Sequence, residues 1–240
     1  MTGICQILGM GPGDPELLTL KAVRHLAGAE VVAWFAACGR PGHARVIAGE
    51  YVPANARELR FDYPFTTSVP VEDPRYLTDM AAFYDRCAQT LSAELAQGRR
   101  IALLCEGDPF LYGSAMYLFD RLSPRFRCEI VPGITGMSGC WSAAHLPMVH
   151  GDDILSVLPA TLDEASLSAW LERGDAHVIM KIGRNFAKVR AALQRSGRHE
   201  KAVYVERGTQ SGQVCLPLDQ APEKAPYFSM VLVPGRTRAR

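Results

Sequence analysis

Ile101-Ala102-Leu103-Leu104 is an unbroken apolar run that stops on Cys105-Glu106-Gly107-Asp108-Pro109. Such a run, with no polar alternation, marks a strand buried on both faces, as in a parallel sheet covered by helices. The acid, glycine, aspartate and proline that end it are turn formers. Beyond them Met116, Leu118, Phe119 and Leu122 follow at helix-like spacing from Ser114 onward. Strand, acidic turn, helix is how an open α/β sheet offers a loop to a ligand at the carboxyl ends of its strands. A plain βα turn has the same composition, so the rest of the chain must decide whether this one carries chemistry.

The flanking patterns predict more of the same architecture. Strands are expected at residues 3–8, 31–34, 58–61 and 128–133, giving a first α/β domain over residues 1–132 with a five-stranded, mostly parallel sheet. Its first helix has apolar positions at Leu17, Leu18, Ala22, Val23 and Leu26. Asp14 is placed to cap it, and Pro15 suits its first position. A long helix is expected from about 74 to 98. The aromatic and hydroxyl-rich stretch 63–70 reads as a substrate lid or a surface excursion. From Asp153 the texture changes. Strands at 154–158, 176–180, 202–205 and 228–233, with helices near 163–173 and 185–196, predict a second α/β domain over 133–240 with a mixed sheet. The small residues of Gly133-Ile134-Thr135-Gly136-Met137-Ser138-Gly139-Cys140 open a helix. They serve either close approach to a ligand or tight packing on the sheet.

Composition narrows the function. A formal charge of +1 over 240 residues gives no electrostatic grip on nucleic acid. No apolar stretch reaches the length of a membrane span, and Met1 to Gln6 lacks the basic flank and long apolar core of a signal peptide. Seven scattered cysteines without a C-x-x-C spacing argue against a disulfide framework and a structural zinc site. A cytoplasmic setting is therefore expected. Gly9-Met10-Gly11-Pro12-Gly13-Asp14 is not G-x-G-x-x-G, and it brings a carboxylate where a pyrophosphate needs bare N–H groups. A nucleotide-binding oxidoreductase using this loop is thus the alternative from another class. No nucleophile elbow is present. The spacing of Cys140, His145 and His150 matches no standard zinc site, and no metal is expected. Among the basic residues Lys181, Arg184, Lys188 and Arg190, Arg184 follows a strand end, where it can pair with a carboxylate.

Taken together, G-x-G-P-G-D-P at 9–15, G-D-P-x-x-Y-G-S at 107–114, V-P-G-I-T at 131–135, M-K-I-G at 180–183 and E-R-G-T at 206–209 run in one order over nearly the whole chain. This set resembles the tetrapyrrole (corrin and porphyrin) methylase family. The resemblance implies a class III methyltransferase: two α/β domains with a ligand cleft between them, and S-adenosylmethionine folded in that cleft, leaving as S-adenosylhomocysteine. By matching motifs it assigns cofactor contacts to Pro12, Glu106, Gly107, Asp108, Leu111, Tyr112, Thr135, Gly136, Ile182 and Gly208, with Met180 nearby. It assigns Gly11, Gly13 and Asp14 to the trough for a small-molecule tetrapyrrole, and it implies a homodimer. Many relatives have Gly-Gly-Asp where this chain has Glu106-Gly107-Asp108. The added carboxylate can meet the methionine ammonium, the sulfonium or a pyrrole N–H. An electron-rich bridging carbon of a partly reduced tetrapyrrole attacks the sulfonium methyl group, and a proton must leave afterwards. Asp108, Glu106 and Tyr112 are the candidate acceptors, and Arg184 is a candidate anchor for the substrate's carboxylate rim. The alternatives within the family are a cobalt-chelated substrate, another ring position, or a modified protein side chain, as in the diphthamide branch of the same fold; a non-catalytic binding module is the last.

Overall fold

The computed structural model describes residues 2–65 and 74–235, and the chain divides into two compact units, Met1–Gly136 and Met137–Arg240. Among the described residues no helix is long and apolar enough to cross a membrane. The expected lid lies at 66–70 outside the described residues, as does the C-terminal tail from 236. Tyr63 itself ends a strand.

In the first unit five strands run as β1 (Ile4–Gly9), β2 (Val31–Ala37), β3 (Arg57–Tyr63), β4 (Arg100–Cys105) and β5 (Arg127–Val131). Their order across the sheet is β3-β2-β4-β1-β5, and every pairing is parallel. The apolar run at 101–104 is therefore the central strand. Successive side chains point to opposite faces, so a continuous apolar strand must be covered twice. Cys5, Ile7, Val31, Ala33, Phe35, Ile101 and Leu103 pack on one face against α3 (Pro74–Ala96) and α4 (Ala115–Leu122). Leu8, Val32, Trp34, Ala102 and Leu104 pack on the other against α1 (Leu20–Ala27) and α2 (His43–Ala48).

The first helix departs from expectation. Asp14 does cap a helical start, accepting from the Glu16 N–H at 2.9 Å, but that start is a single 3-10 turn, Pro15–Leu17. Leu18 and Thr19 are extended, and α1 begins afresh with the Thr19 hydroxyl as its N-cap. Two capping residues five positions apart compete for one helix, and each takes its own.

The division between the units falls in the first turn of α5 (Gly136–Ala143). Beyond it lie β6 (Leu155–Pro159), α6 (Glu164–Glu172), β7 (Ala176–Met180), α7 (Phe186–Arg195), β8 (Val203–Glu206), β9 (Val214–Pro217) and β10 (Ser229–Val233). The sheet order is β6-β7-β10-β8-β9, with β6 and β7 parallel and the other pairings antiparallel. The sheet is mixed, and β9 is a strand the sequence pattern does not announce. One face packs on α6 and α7 through Ile179, Tyr204 and Val231. The other packs on α5 and Met148 through Ala176, Val178, Val205 and Leu232.

Candidate functional site

The loops that leave β1 and β4 are joined main chain to main chain. Parallel pairing runs to Gly9 opposite Cys105, and the Met10 N–H then donates to the Cys105 carbonyl at 2.8 Å. Two residues on, Gly11 and Gly107 exchange N–H···O bonds of 2.8 and 3.4 Å in an antiparallel bridge. A Cβ on Gly133 would lie 2.1 Å from the Gly107 carbonyl oxygen, and one on Gly9 would lie 2.5 Å from the Gly133 nitrogen. Glycine stands at 9 and 133 because three main chains meet there with no room for a side chain. The glycine loop thus makes its close approach to the acidic loop. The oxidoreductase alternative falls for the same reason: the N–H groups of Gly11 and Gly107 are spent on each other, and Asp14 takes that of Glu16. None of these three N–H groups is left for a pyrophosphate.

This junction gathers Gly11, Gly107, Asp108, Thr135 and Gly136. A Cβ on Gly107, whose φ is +62°, would lie 3.5 Å from the Gly136 nitrogen and 3.9 Å from the Thr135 Cα. Pro12 adjoins Gly11 in the chain. Asp108 holds the loop itself: one carboxylate oxygen accepts from the Phe110 N–H at 2.9 Å and the other from the Gly133 N–H at 3.2 Å. The Leu111 N–H returns to the Asp108 carbonyl at 3.3 Å. Tyr112 is left-handed, with φ +57°, and its side chain is exposed, as is that of Phe110.

Three hydroxyl groups that sequence reasoning did not bring together meet at the end of the loop. The Ser114 hydroxyl, at the head of α4, accepts from the Tyr63 hydroxyl at 2.8 Å and the Tyr84 hydroxyl at 3.3 Å. Burial pushes Tyr84 up to about 12, so it stays a donor. Only the partnership across residues 63, 84 and 114 reveals this, and no local spacing encodes it. Glu106 differs from its neighbours. Solvent reaches the residue, yet protein crowds its carboxyl closely enough that desolvation pushes it up to about 7, a hydrogen bond from the Ala44 N–H drawing it partly back.

The expected residues of the second unit form their own groups. Met180 ends β7 half-buried, Lys181 follows with φ +58°, and Ile182 is wholly buried in the core, leaving its backbone as the part a ligand can meet. Arg184 is exposed in the 3-10 turn Gly183–Asn185. Its basic neighbours are structural: Lys188 donates to the Leu162 carbonyl, and Arg190 donates to the Ala221 carbonyl at 2.6 Å while covering the Phe186 ring. Gly208 follows β8, two strands away from β7. A Cβ there would lie 2.9 Å from the Cα and Sγ of Cys140, so α5 and Gly208 meet through small residues. Glu206 accepts from the Tyr204 hydroxyl at 2.9 Å and pairs with Arg207. Among the described residues five non-glycine positions have positive φ, and four of them, Tyr112, Lys181, Arg207 and Thr209, lie in or beside the motifs at 107–114, 180–183 and 206–209. Backbone held in such sparsely populated conformations clusters at ligand sites.

The fold and its loops define a two-unit α/β protein that offers a carboxylate and aromatic rings at strand ends. The chain belongs to the tetrapyrrole (corrin/porphyrin) methylases, whose family model matches residues 5–221. It is 52% identical over 229 residues to a precorrin-2 C(20)-methyltransferase of Sinorhizobium sp, covering 95% of this chain and 94% of that one. It is 28% identical to a cobalt-precorrin-2 C(20)-methyltransferase of Salmonella typhimurium over 97% of both. Among solved structures, the methyltransferase CobJ superposes with a TM-score of 0.72 at 20% identity, over 100% of this chain and 97% of that one. A uroporphyrin-III C-methyltransferase of Thermus thermophilus in complex with S-adenosylhomocysteine gives 0.64 at 23% identity, over 96% of this chain and 97% of that one.

Proposed function

We propose that this protein transfers the methyl group of S-adenosylmethionine to the C-20 bridging carbon of precorrin-2, forming precorrin-3A in cobalamin biosynthesis. The observation that carries the reading is the end-to-end 52% identity to the Sinorhizobium enzyme. The junction of unit one fits the cofactor. Gly107 and Gly136 carry no side chain at this junction, and the exposed rings of Phe110 and Tyr112 suit a sulfonium cation. S-adenosylmethionine supplies an electrophilic methyl group.

In this reading residues 1–132 and 133–240 are the two domains that hold the reactants. Pro12, Gly107, Leu111, Tyr112, Thr135 and Gly136 in the first, with Met180, Ile182 and Gly208 in the second, contact the cofactor. Gly11, Gly13 and Asp14 line the tetrapyrrole trough, and Arg184 pairs with its carboxylate rim. Asp108 acts by holding the loop. Holding nucleophile and methyl carbon in line supplies much of the rate.

The test is calorimetric titration with S-adenosylhomocysteine, then incubation with precorrin-2 and methyl-labelled S-adenosylmethionine. Micromolar binding and a single label at C-20 are expected, and failure of either defeats the reading. The cobalt-chelated substrate is the second reading, favoured by the Salmonella relative. Parallel turnover of the two substrates decides between them.

A further inference from the structure

We infer that Glu106 is the base that takes the proton from the methylated carbon, an inference that rests on the C-20 methyl transfer proposed above. As C-20 bonds to the methyl carbon, the C–S bond breaks and its electron pair stays on sulfur. The tetrapyrrole is left cationic, and loss of the C-20 proton to a Glu106 oxygen neutralises it.

Three side chains of the acidic loop carry an oxygen that can serve. Asp108 has both carboxylate oxygens committed to the N–H groups of Phe110 and Gly133. Turning it to a substrate would release the loop from β5. Tyr112 offers a phenol oxygen, a weaker proton acceptor than a carboxylate. Glu106 is a carboxylate, and the N–H it accepts from, that of Ala44, lies outside the acidic loop. It stands at the end of the central strand, and its main chain is locked on both sides. Cys105 before it is in register with Gly9 and accepts from Met10, while Gly107 after it is bridged to Gly11. A base on such a support is held in place without needing its own carboxylate to hold it.

Its chemistry suits the role. Crowding pushes its carboxyl up to about 7, so it can both take a proton and release it near neutrality. The groups near it do not mimic that titration. Burial pushes the adjoining Cys105 thiol up to about 12, and Asp108 is bonded as described. On α2, which supplies the Ala44 N–H, desolvation and then Arg40 lower His43 below its ordinary range, so it changes charge at more acid pH.

Glu106→Gln is the decisive variant. It is isosteric and keeps an oxygen for the Ala44 N–H, so Tm should not move. The expected result is a fall in kcat of about 10²-fold or more. KM for precorrin-2 and calorimetric affinity for S-adenosylhomocysteine should stay within about twofold. Wild-type kcat should rise through pH of about 7 and level off, while the variant's residual rate stays flat. Unchanged kcat overturns the inference. So does a large loss of S-adenosylhomocysteine affinity, which would place the carboxylate on the methionine ammonium. If Glu106→Gln fails to fold, Glu106→Asp decides: a lowered kcat with intact cofactor affinity supports the base, and an unaltered kcat refutes it. Failure of the wild type to methylate precorrin-2 would be seen before any variant is made, and would remove the activity reading and this inference together.

Discussion

The two units hold their motif residues in opposite ways. In the first, the motifs meet through main chain: Gly9, Gly11, Gly107 and Gly133 interlock, and Asp108 binds two N–H groups. In the second, side chains do most of the holding. Tyr204, Glu206 and Arg207 form one network, Arg190 and Lys188 fasten loops to α7, and Lys181, Arg207 and Thr209 carry positive φ without glycine. Backbone junctions leave no tolerance for added atoms, whereas side-chain networks respond to charge and pH.

Gly133→Ala should be the most damaging test of this contrast. Its Cβ would sit 2.1 Å from a carbonyl oxygen that cannot move without breaking the Gly11 bridge. We expect a loss of about 3 kcal/mol or more in denaturant unfolding. Gly183→Ala, in the second unit's M-K-I-G motif, meets nothing within 4 Å and should leave stability unchanged. Equal effects from the two would erase the distinction.

His177 probes the second unit. It is wholly buried on β7. Burial, helped by nearby Arg198, lowers it to about 4. The unfolded chain therefore takes up a proton first as pH falls. Stability is fully present above pH of about 6.5 and is lost progressively toward 4, by about 3 kcal/mol in all. Unfolding curves between pH 8 and 4 should show this loss, and His177→Leu should flatten it. An unaltered slope would move the acid sensitivity elsewhere.

Asp108→Asn removes one of two acceptors and turns an amide toward an N–H. A loss of about 2 kcal/mol is expected, with affinity for S-adenosylhomocysteine reduced because the loop loosens. Full stability in that variant would free Asp108 for catalysis and weaken the case for Glu106. Smallest of all, Arg184→Ala at an exposed turn should raise KM for the tetrapyrrole several-fold and leave cofactor affinity and Tm intact. Loss of cofactor binding instead would remove it from the substrate's rim.

Much of this was legible locally. The unbroken run 101–104 announced a strand covered on both faces, and it is the centre of an all-parallel sheet. Asp14 announced a helical start, and the five motifs announced the family. Strand type, caps and turns depend on residues a few positions apart, so periodicity and residue chemistry are enough to show them. The break after Leu17, the edge strand β9 and the Tyr63–Ser114–Tyr84 hydroxyl cluster were not legible. Nor was the division of labour between two carboxylates two residues apart. Sequence placed Glu106 and Asp108 in one loop as equal candidates. Only the folded chain brought Gly133 against Asp108 and Ala44 against Glu106, because contacts across 25 and 62 positions are set by strand order and not by local pattern. Those contacts set the two acids apart: Asp108 binds N–H groups with both carboxylate oxygens, and Glu106 faces α2.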